Sequence, residues 1–189
     1  MMRPLLTAVC LAALLRRSAA DTASDLTAAL SSDPSLSSMQ QLVAQHPTLI
    51  NDLVKDNTAV TVFVPNNDAL KAHTATAGRP LTDTPAALLT SILAYHVVAA
   101  GLTSSSFNST FNSAKGITAP TLLTGELYNN RTATPELVEV YGTSATGQVV
   151  YAERSDDGGY TLQGGQAERI KMTPVDRQWR RGYIQIVDR

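Results

Sequence analysis

The sequence predicts an α+β fold whose helices lie mainly in the N-terminal half. Apolar residues recur at helical spacing in most of the first 98 residues, whereas short β-type segments separated by Gly, Asn and Asp dominate from Ile117 onward. Because the helices largely precede the strands, the order favours an α+β arrangement over repeated βαβ units. The chain has 189 residues, 43% of them hydrophobic, which is enough for a sizeable core.

The start of the chain has the pattern of a secretory signal peptide. Arg3 precedes an apolar run, Leu5–Leu15, and the small residues Ser18–Ala20 offer a cleavage site. The run is shorter than the ~20 residues that a membrane-spanning helix needs, so we expect no stable transmembrane segment. We predict that residues 1–20 are removed and that residues 21–189 form a single secreted domain.

Removal of the leader changes the chemistry available to the protein. Cys10 is the only cysteine, so the mature chain has neither disulfides nor thiol chemistry. The leader holds three of the 15 basic residues and none of the 16 acids, which leaves a net charge of −4. Residues 169–189 carry six basic and two acidic residues, so the rest of the mature chain is acidic. This balance argues against a nucleic-acid-binding protein.

The spacing of apolar residues and the positions of two prolines predict three helices followed by a strand in the N-terminal part of the chain. Asp33-Pro34 and His46-Pro47 interrupt the helical pattern. The three helical stripes that they separate are Leu26/Ala29/Leu30, Leu36/Met39/Leu42/Val43 and Leu49/Ile50/Leu53/Val54. Val60–Val64 then has the composition of a buried strand, which Pro65 ends.

Two further helices are predicted after this strand. Asn66 or Asn67 can cap the first of them. Thr84-Pro85 is a helix start, with proline at the first helical position. The apolar face of that second helix ends at His96, which we interpret as a packed, hydrogen-bonded histidine. The face consists of Leu88, Leu89, Ile92, Leu93 and His96.

The C-terminal half predicts strands joined by turns. Ser- and Thr-rich residues 103–113 are expected to form a loop, and Asp156–Gly159 a solvated turn. The predicted strands are Thr121–Thr124, Leu137–Tyr141, Gln148–Ala152, Tyr160–Gln163, Arg169–Met172 and Tyr183–Val187.

Catalytic and metal-binding motifs are not found in the sequence. There is no HExxH, GxSxG, P-loop or helix-opening GxGxxG. The three histidines lie far apart without nearby carboxylates at ligand spacing, so we predict no metal site and no cofactor. A glycosidase needs two carboxylates ~5–10 Å apart, and the available acids include Glu136, Glu139 and Glu153.

Two surface features accompany these elements. Asn108-Ser109-Thr110 and Asn130-Arg131-Thr132 are N-glycosylation sequons, which a secreted chain can use. The basic residues Arg177, Arg180 and Arg181 form either a solvated face or a surface for an anionic glycan.

Three segments in the right order resemble the fasciclin (FAS1) family. Residues 61–70, TVFVPNNDAL, resemble its first signature, and Tyr95-His96 resembles its Tyr-His motif. Residues 182–189, GYIQIVDR, resemble its second signature, although Arg181 stands where the family usually has Asn. The matching signature residues are Thr61, Phe63, Pro65, Asn67, Asp68, Ala69, Leu70, Gly182, Ile184, Val187 and Asp188.

The resemblance implies a β-sandwich or wedge with helices packed on it, and a secreted, non-catalytic adhesion module. The implied partners are cell-surface or matrix proteins or cell-wall glycans. The implied partner-binding residues are Leu93, Tyr95, His96, Val97 and Val98, although the apolar ones are equally suited to the core. The family's last strand normally continues beyond this Asp-Arg, so we expect a shortened final strand or a sequence that belongs to a longer protein.

Two alternatives to adhesion remain open at this point. One is a soluble carrier of a small apolar ligand. The other is a glycan-active enzyme that uses the scattered glutamates.

Overall fold

The computed structural model describes residues 22–55, 59–108, 110–111, 114–128, 134–165 and 168–189. The predicted leader with Cys10 and the second sequon asparagine, Asn130, lie outside the described residues. No helix within the described ranges is long and apolar enough to cross a membrane.

Five of the six described helices precede residue 96, as the spacing predicts. Pro47 opens α3 at its first position. The predicted start of α5 is one residue early, because Pro85 is the N-cap and Ala86 the first helical residue. The helices are α1 (22–31), α2 (Ser37–Gln45), α3 (Pro47–Val54), α4 (Asn67–Ala77), α5 (Ala86–Tyr95) and α6 (Pro135–Tyr141).

Nine strands form one large sheet and one small ribbon in the described part of the chain. The ribbon consists of β3 (Thr110–Phe111) and β4 (Ala114–Lys115). The large sheet contains β1 (Val60–Pro65), β2 (Val97–Val98), β5 (Ile117–Pro120), β6 (Val149–Arg154), β7 (Tyr160–Gln163), β8 (Arg169–Trp179) and β9 (Gly182–Val187).

The large sheet curls until its two edges meet. Its order is β2-β1-β9-β8-β7-β6-β5, and every pair is antiparallel except β1 with β9. A bridge between Val98 and Thr121 joins the β2 edge to the residue that follows β5, and Leu122 N–H donates to Val97 O at 2.8 Å. The result is a wedge with helices α1–α5 packed on one outer face, which confirms the predicted α+β class.

Strand β1 is buried on both faces, which explains its continuous apolar run. Val60, Val62 and Val64 face α1, α2, α3 and α5 in one core, the helix-side core. Phe63 points to the other side, into a second core, the inner core. The inner core fills the inside of the curled sheet with residues such as Phe107 and Met172. The period-2 alternation of a strand therefore divides the core into two clusters.

Two of the predicted strands are wrong. Leu137–Tyr141 belongs to helix α6, because Pro135 starts it and Val138 N–H donates to Thr134 O at 3.0 Å. Helical spacing also turns both Leu137 and Tyr141 toward the sheet interior. Thr121–Thr124 is not a strand either; the strand is β5, and Thr121 leaves it to bridge β2.

The remaining C-terminal predictions hold with adjusted ends. Tyr160–Gln163 is confirmed as β7, whereas β8 runs on past Met172 to Trp179. A bulge between Thr173 and Arg177 interrupts the pairing of β8 with β9. The predicted loop at 103–113 contains a 3-10 turn, Ser106–Asn108, and the short strand β3.

Gly182 sits where β9 begins to pair with β1. Its φ is +142°, and a Cβ built there would lie 2.0 Å from the Val60 carbonyl oxygen. A side chain at this position therefore cannot coexist with the parallel pairing. This is the physical reason for glycine in the second signature.

We predict that Gly182→Ala lowers the free energy of unfolding by about 2–4 kcal/mol, because the backbone of Val60 must move away. Urea unfolding measures this change. Gly78→Ala is the matched control: it also has a positive φ, +70°, but nothing lies within 4 Å of the added Cβ. The control should cost only about 1 kcal/mol. Equal losses for the two variants would contradict the close approach at Val60.

Candidate interaction site

The Tyr-His motif lies where α5 ends and β2 begins. Tyr95 is the last residue of α5, and His96 is its C-terminal cap. Phe63 N–H in β1 donates to His96 O at 2.9 Å, and His96 Nδ1 lies 2.9 Å from Phe63 O. The imidazole therefore acts as the donor to the Phe63 carbonyl, just before β2 begins. His96 is a packed, hydrogen-bonded residue.

Tyr95 ties the end of α5 to the loop after β7. Its hydroxyl accepts a hydrogen bond from Gly165 N–H at 2.8 Å, and a Cβ on Gly164 would lie 2.3 Å from that hydroxyl. The Tyr95 and His96 rings meet edge to face, with centroids 6.4 Å apart. Both residues are half-buried, so each presents part of its surface to solvent.

The three apolar residues of the proposed partner site lie in the core. Leu93 and Val97 are 3% and 4% exposed and pack under the helices. Val98 is fully buried in the second core. Direct contact with a partner at this motif is therefore limited to Tyr95 and His96 in this conformation.

Residues of the first signature hold strand β1 and helix α4 in place. Thr61 is buried, and its hydroxyl donates to Ala100 O at 2.6 Å and accepts from Leu102 N–H at 2.7 Å. Phe63 is in the inner core, and Pro65 is the last residue of β1. These three residues have structural contacts that account for their places in the signature.

The two asparagines after β1 have different roles. Asn66 caps α4, because its Oδ1 accepts from Ala69 N–H at 2.8 Å. Asn67 connects α4 to the start of α2: its amide donates to Pro34 O and its Oδ1 accepts from Ser38 N–H, both at 3.0 Å.

The other residues of this signature line up along the first turn of α4. Ala69 is buried, and Leu70 packs against the helix-side core. Asp68 is exposed in the first turn, where its charge suits the positive end of the helix.

The second signature forms β9. Ile184 belongs to the helix-side core and Val187 to the inner core, and Asp188 is exposed just after the strand. Between them, Gln185 is fully buried and makes hydrogen bonds in two directions. Its Nε2 donates to Leu102 O and to Asp176 Oδ1, both at 2.9 Å, and its Oε1 accepts from Val175 N–H at 3.0 Å.

This polar cluster fixes the loop that follows the Tyr-His motif. Asp176, at φ +43° in the β8 bulge, accepts hydrogen bonds from Ser104 N–H at 2.7 Å and Ser104 Oγ at 2.6 Å. Burial acts to raise the pKa of Asp176, but the hydrogen bonds from Ser104 and Gln185 hold that pKa below its usual value. Sequence reasoning missed the cluster, because Asp176 and Ser104 are 72 positions apart.

The C-terminal arginines do not form one free basic face. Arg177 donates to Ala29 O at 3.1 Å and pairs with Asp33 at 3.4 Å, so it links β8 to the end of α1. Arg180 pairs with Asp25 at 3.5 Å. An anionic glycan that bound Arg177 or Arg180 would therefore have to compete with these contacts inside the chain.

The three glutamates considered for catalysis lie on two elements, α6 and β6. Glu136 and Glu139 are exposed on α6. Glu153 on β6 accepts from the Tyr151 hydroxyl at 3.1 Å and pairs with Arg169 at 3.1 Å. No cluster of three or more His, Cys, Asp or Glu side chains suited to a metal ion occurs in the described ranges.

An open groove lies on the face formed by α3, α5 and the segment after β5. Its volume is about 970 Å³. Leu49, Leu53 and Leu122 form its apolar floor, and exposed residues that include Thr90 and Asp52 form its rim. A second cavity, under His96, is apolar and has a volume of only about 20 Å³, which is about the space of one water molecule.

Burial lowers the pKa of His96, and its hydrogen bond to Phe63 offsets this only in part. The unfolded chain, with a pKa of 6.5 for this group, then binds a proton more readily than the folded chain. Above pH 6.5 the neutral His96 should therefore cost the fold no stability. As the pH drops below 6.5 toward the lower pKa of the folded state, the free energy of unfolding should fall by at most about 1.4 kcal/mol per pH unit.

We predict that His96→Gln flattens this part of the pH profile of urea unfolding, because the titrating group is gone. His73→Gln, on the exposed side of α4, is the control for replacing a histidine by glutamine elsewhere in the fold. A His96→Gln profile parallel to the wild type between pH 7.5 and 5 would show that His96 does not titrate as described.

The comparisons with known proteins agree with this geometry. The model of the fasciclin domain family matches residues 34–189. Among solved structures, the chain is similar to a FAS1 domain pair from the insect cell adhesion molecule fasciclin I, with a TM-score of 0.55 and 16% sequence identity. The match covers 82% of this chain and 44% of the domain pair, so the chain spans less than half of that protein's length. No curated protein sequence matches the chain significantly.

The structural similarity confirms the predicted FAS1 fold. The family match covers most of the chain and includes both signature segments. This chain belongs to the fasciclin domain family.

Proposed function

We propose that this chain is a secreted adhesion module that binds cell-surface or matrix proteins or cell-wall glycans without catalysing a reaction. The observation that carries the proposal is the fasciclin family match over residues 34–189. The similar FAS1 domain pair comes from a protein described as a cell adhesion molecule. Adhesion modules of this kind act outside the cell, which agrees with the signal-peptide pattern of residues 1–20.

The surface supports a binding role. Asn108, the first sequon asparagine, is exposed at the end of a 3-10 turn, where a glycan can be attached without unfolding the chain. Tyr95 and His96 offer a partly exposed aromatic pair at the end of α5, and we propose them as contact residues. The open groove beside α5 is a second contact area.

The two alternatives have less support. The apolar cavity under His96 is too small for an organic ligand, so it gives no support to a carrier function. Glu153 is held in an ion pair with Arg169, and Glu136 and Glu139 lie on an exposed helix. Nothing in this arrangement points to a glycosidase carboxylate pair.

Binding of the secreted chain to intact cells, wall polysaccharides and matrix proteins tests the proposal. We expect saturable binding that disappears when the chain is unfolded, with the native fold checked by circular dichroism. Tyr95→Ala should weaken binding severalfold if the aromatic pair makes contact, whereas Tyr151→Ala on β6 should not. A folded chain that binds none of these surfaces would contradict the proposed function.

A further inference from the structure

The short connection between α4 and α5 has the composition of a segment that carries O-linked sugars. Residues 79–85, RPLTDTP, place two threonines between two prolines. Sequence that combines threonine with proline is typical of O-glycosylated segments in secreted proteins. The backbone is extended at Pro80 (φ −68°, ψ 156°) and at Thr84 (φ −80°, ψ 135°), and the 3-10 turn Leu81–Asp83 lies between them.

Thr82 is the threonine of this connection whose hydroxyl is open to a modifying enzyme. Its side chain is exposed, whereas Thr84 is half-buried. The Thr82 hydroxyl donates to Asp83 Oδ1 at 3.3 Å, which is long for a bond between two oxygens. Two backbone hydrogen bonds of 3.1 Å hold the turn around it. The turn can therefore be drawn out into an enzyme at the cost of these contacts, without unfolding a helix.

Exposed threonines in the neighbouring helices are held differently. The hydroxyls of Thr76 and Thr90 donate to the carbonyl four residues earlier, at 3.1 Å in α4 and 2.8 Å in α5. Their backbones are part of the helices, so an enzyme that needs an extended segment would have to unwind several residues together. Exposure is thus shared by all three threonines, and the local backbone distinguishes Thr82.

A cleft beside Thr82 has room for the first sugar. This α2–α4 cleft lies between α2, α4 and the connection, and its volume is about 290 Å³. That volume is at the lower end of the range for ligand pockets, which suits a single sugar unit. Thr82 itself lines the cleft, so a sugar attached to its hydroxyl starts at the edge of this space.

The lining of the α2–α4 cleft matches the mixed surface of a sugar. Ser38, Gln41 and Lys71 are exposed in it and offer hydroxyl, amide and ammonium groups to sugar hydroxyls. Leu70 and Leu81 are half-buried in the same lining and offer apolar contact to the carbon atoms of the ring.

We propose that Thr82 is an O-glycosylation site and that the attached sugar lies in the α2–α4 cleft. The donor is a hexose or N-acetylhexosamine activated as a nucleotide or lipid phosphate, and the enzyme is a glycosyltransferase of the secretory pathway. Thr82 Oγ bonds to the anomeric carbon, and the bond from that carbon to the phosphate oxygen breaks. The phosphate leaves with the electron pair, and the hydroxyl proton passes to a base of the transferase. The assignment rests on the secretion that is part of the proposed function.

Mass spectrometry of the chain secreted by a eukaryotic host tests the modification, after N-linked glycans have been removed enzymatically. We expect a hexose or N-acetylhexosamine on the Thr82 hydroxyl, located by fragmentation that keeps the sugar attached. Thr82→Val should lose this mass, and Thr82→Ser should keep it because the acceptor oxygen is retained. Thr76→Val is the matched control, since it removes an exposed threonine hydroxyl from α4 and should leave the sugar in place. An unmodified Thr82, or a sugar on Thr84 alone, would overturn the assignment.

Urea unfolding tests the position of the sugar. A sugar that packs into the α2–α4 cleft should raise the urea midpoint of the glycosylated chain above that of Thr82→Val. Gln41→Ala should reduce this difference, whereas Gln45→Ala, which changes another exposed glutamine of α2 outside the cleft lining, should not. Equal midpoints with and without the sugar would show that it extends into solvent, contrary to the proposed placement.

The outcomes separate this assignment from the proposed function. Loss of residues 1–20 from the secreted chain reports export independently of any sugar. A chain that has lost them and binds cells or matrix, but carries no sugar on Thr82, overturns the assignment and leaves adhesion standing. A chain with the sugar on Thr82 that binds no cell, wall or matrix surface contradicts adhesion alone. A chain that is neither exported nor modified contradicts both.

Discussion

The parallel pairing of β1 with β9 is the contact on which the rest of the structure depends. It joins residues 60–65 to residues 182–187 in an uninterrupted six-residue register, so the two family signatures are neighbours in space. Both strands lie in the interior of the large sheet, with β2 on one side and β8 on the other. Their outer faces support the N-terminal helices and their inner faces fill the curled sheet. Because parallel strands need a crossover, most of the chain is the connection between these two segments.

The polar contacts around the candidate site also depend on this strand pair. The Phe63 carbonyl in β1 holds the His96 ring, and the Thr61 hydroxyl in β1 holds the following loop at Ala100 and Leu102. From β9, Gln185 reaches the same loop at Leu102 and orders the β8 bulge. The Tyr-His motif is thus fixed by the centre of the sheet. A partner that contacts Tyr95 and His96 meets a rigid surface, which reduces the entropy lost on binding.

The sequence predicted those helices and strands whose positions are decided by residues within or next to the element itself. The buried run Val60–Val64, the asparagine cap and the prolines near helix starts each act over a few residues. The structure has these elements where expected, except that α5 begins one residue after the predicted position. Helix α6 was missed because Val138, Val140 and Tyr141 have strand propensity. Pro135 at the helix start and the packing of Leu137 and Tyr141 against the sheet favour the helix instead. The shift of β5 follows from its pairing with β6, and the Gln185–Leu102 bond spans 83 positions. Long-range contacts of this kind, and the groove between α3 and α5, leave no periodic signal in one sequence.

Native-state hydrogen exchange tests the role of the β1–β9 pair most directly. If these strands are the last to separate, their backbone amides should exchange only by global unfolding, with the same free energy in both strands. Amides of α6 and of the β6–β7 turn should exchange by smaller openings. Fast exchange in β9 while β1 stays protected would show that the pair opens before the fold is lost. The helices and the loop after His96 would then be held by other contacts, contrary to this account.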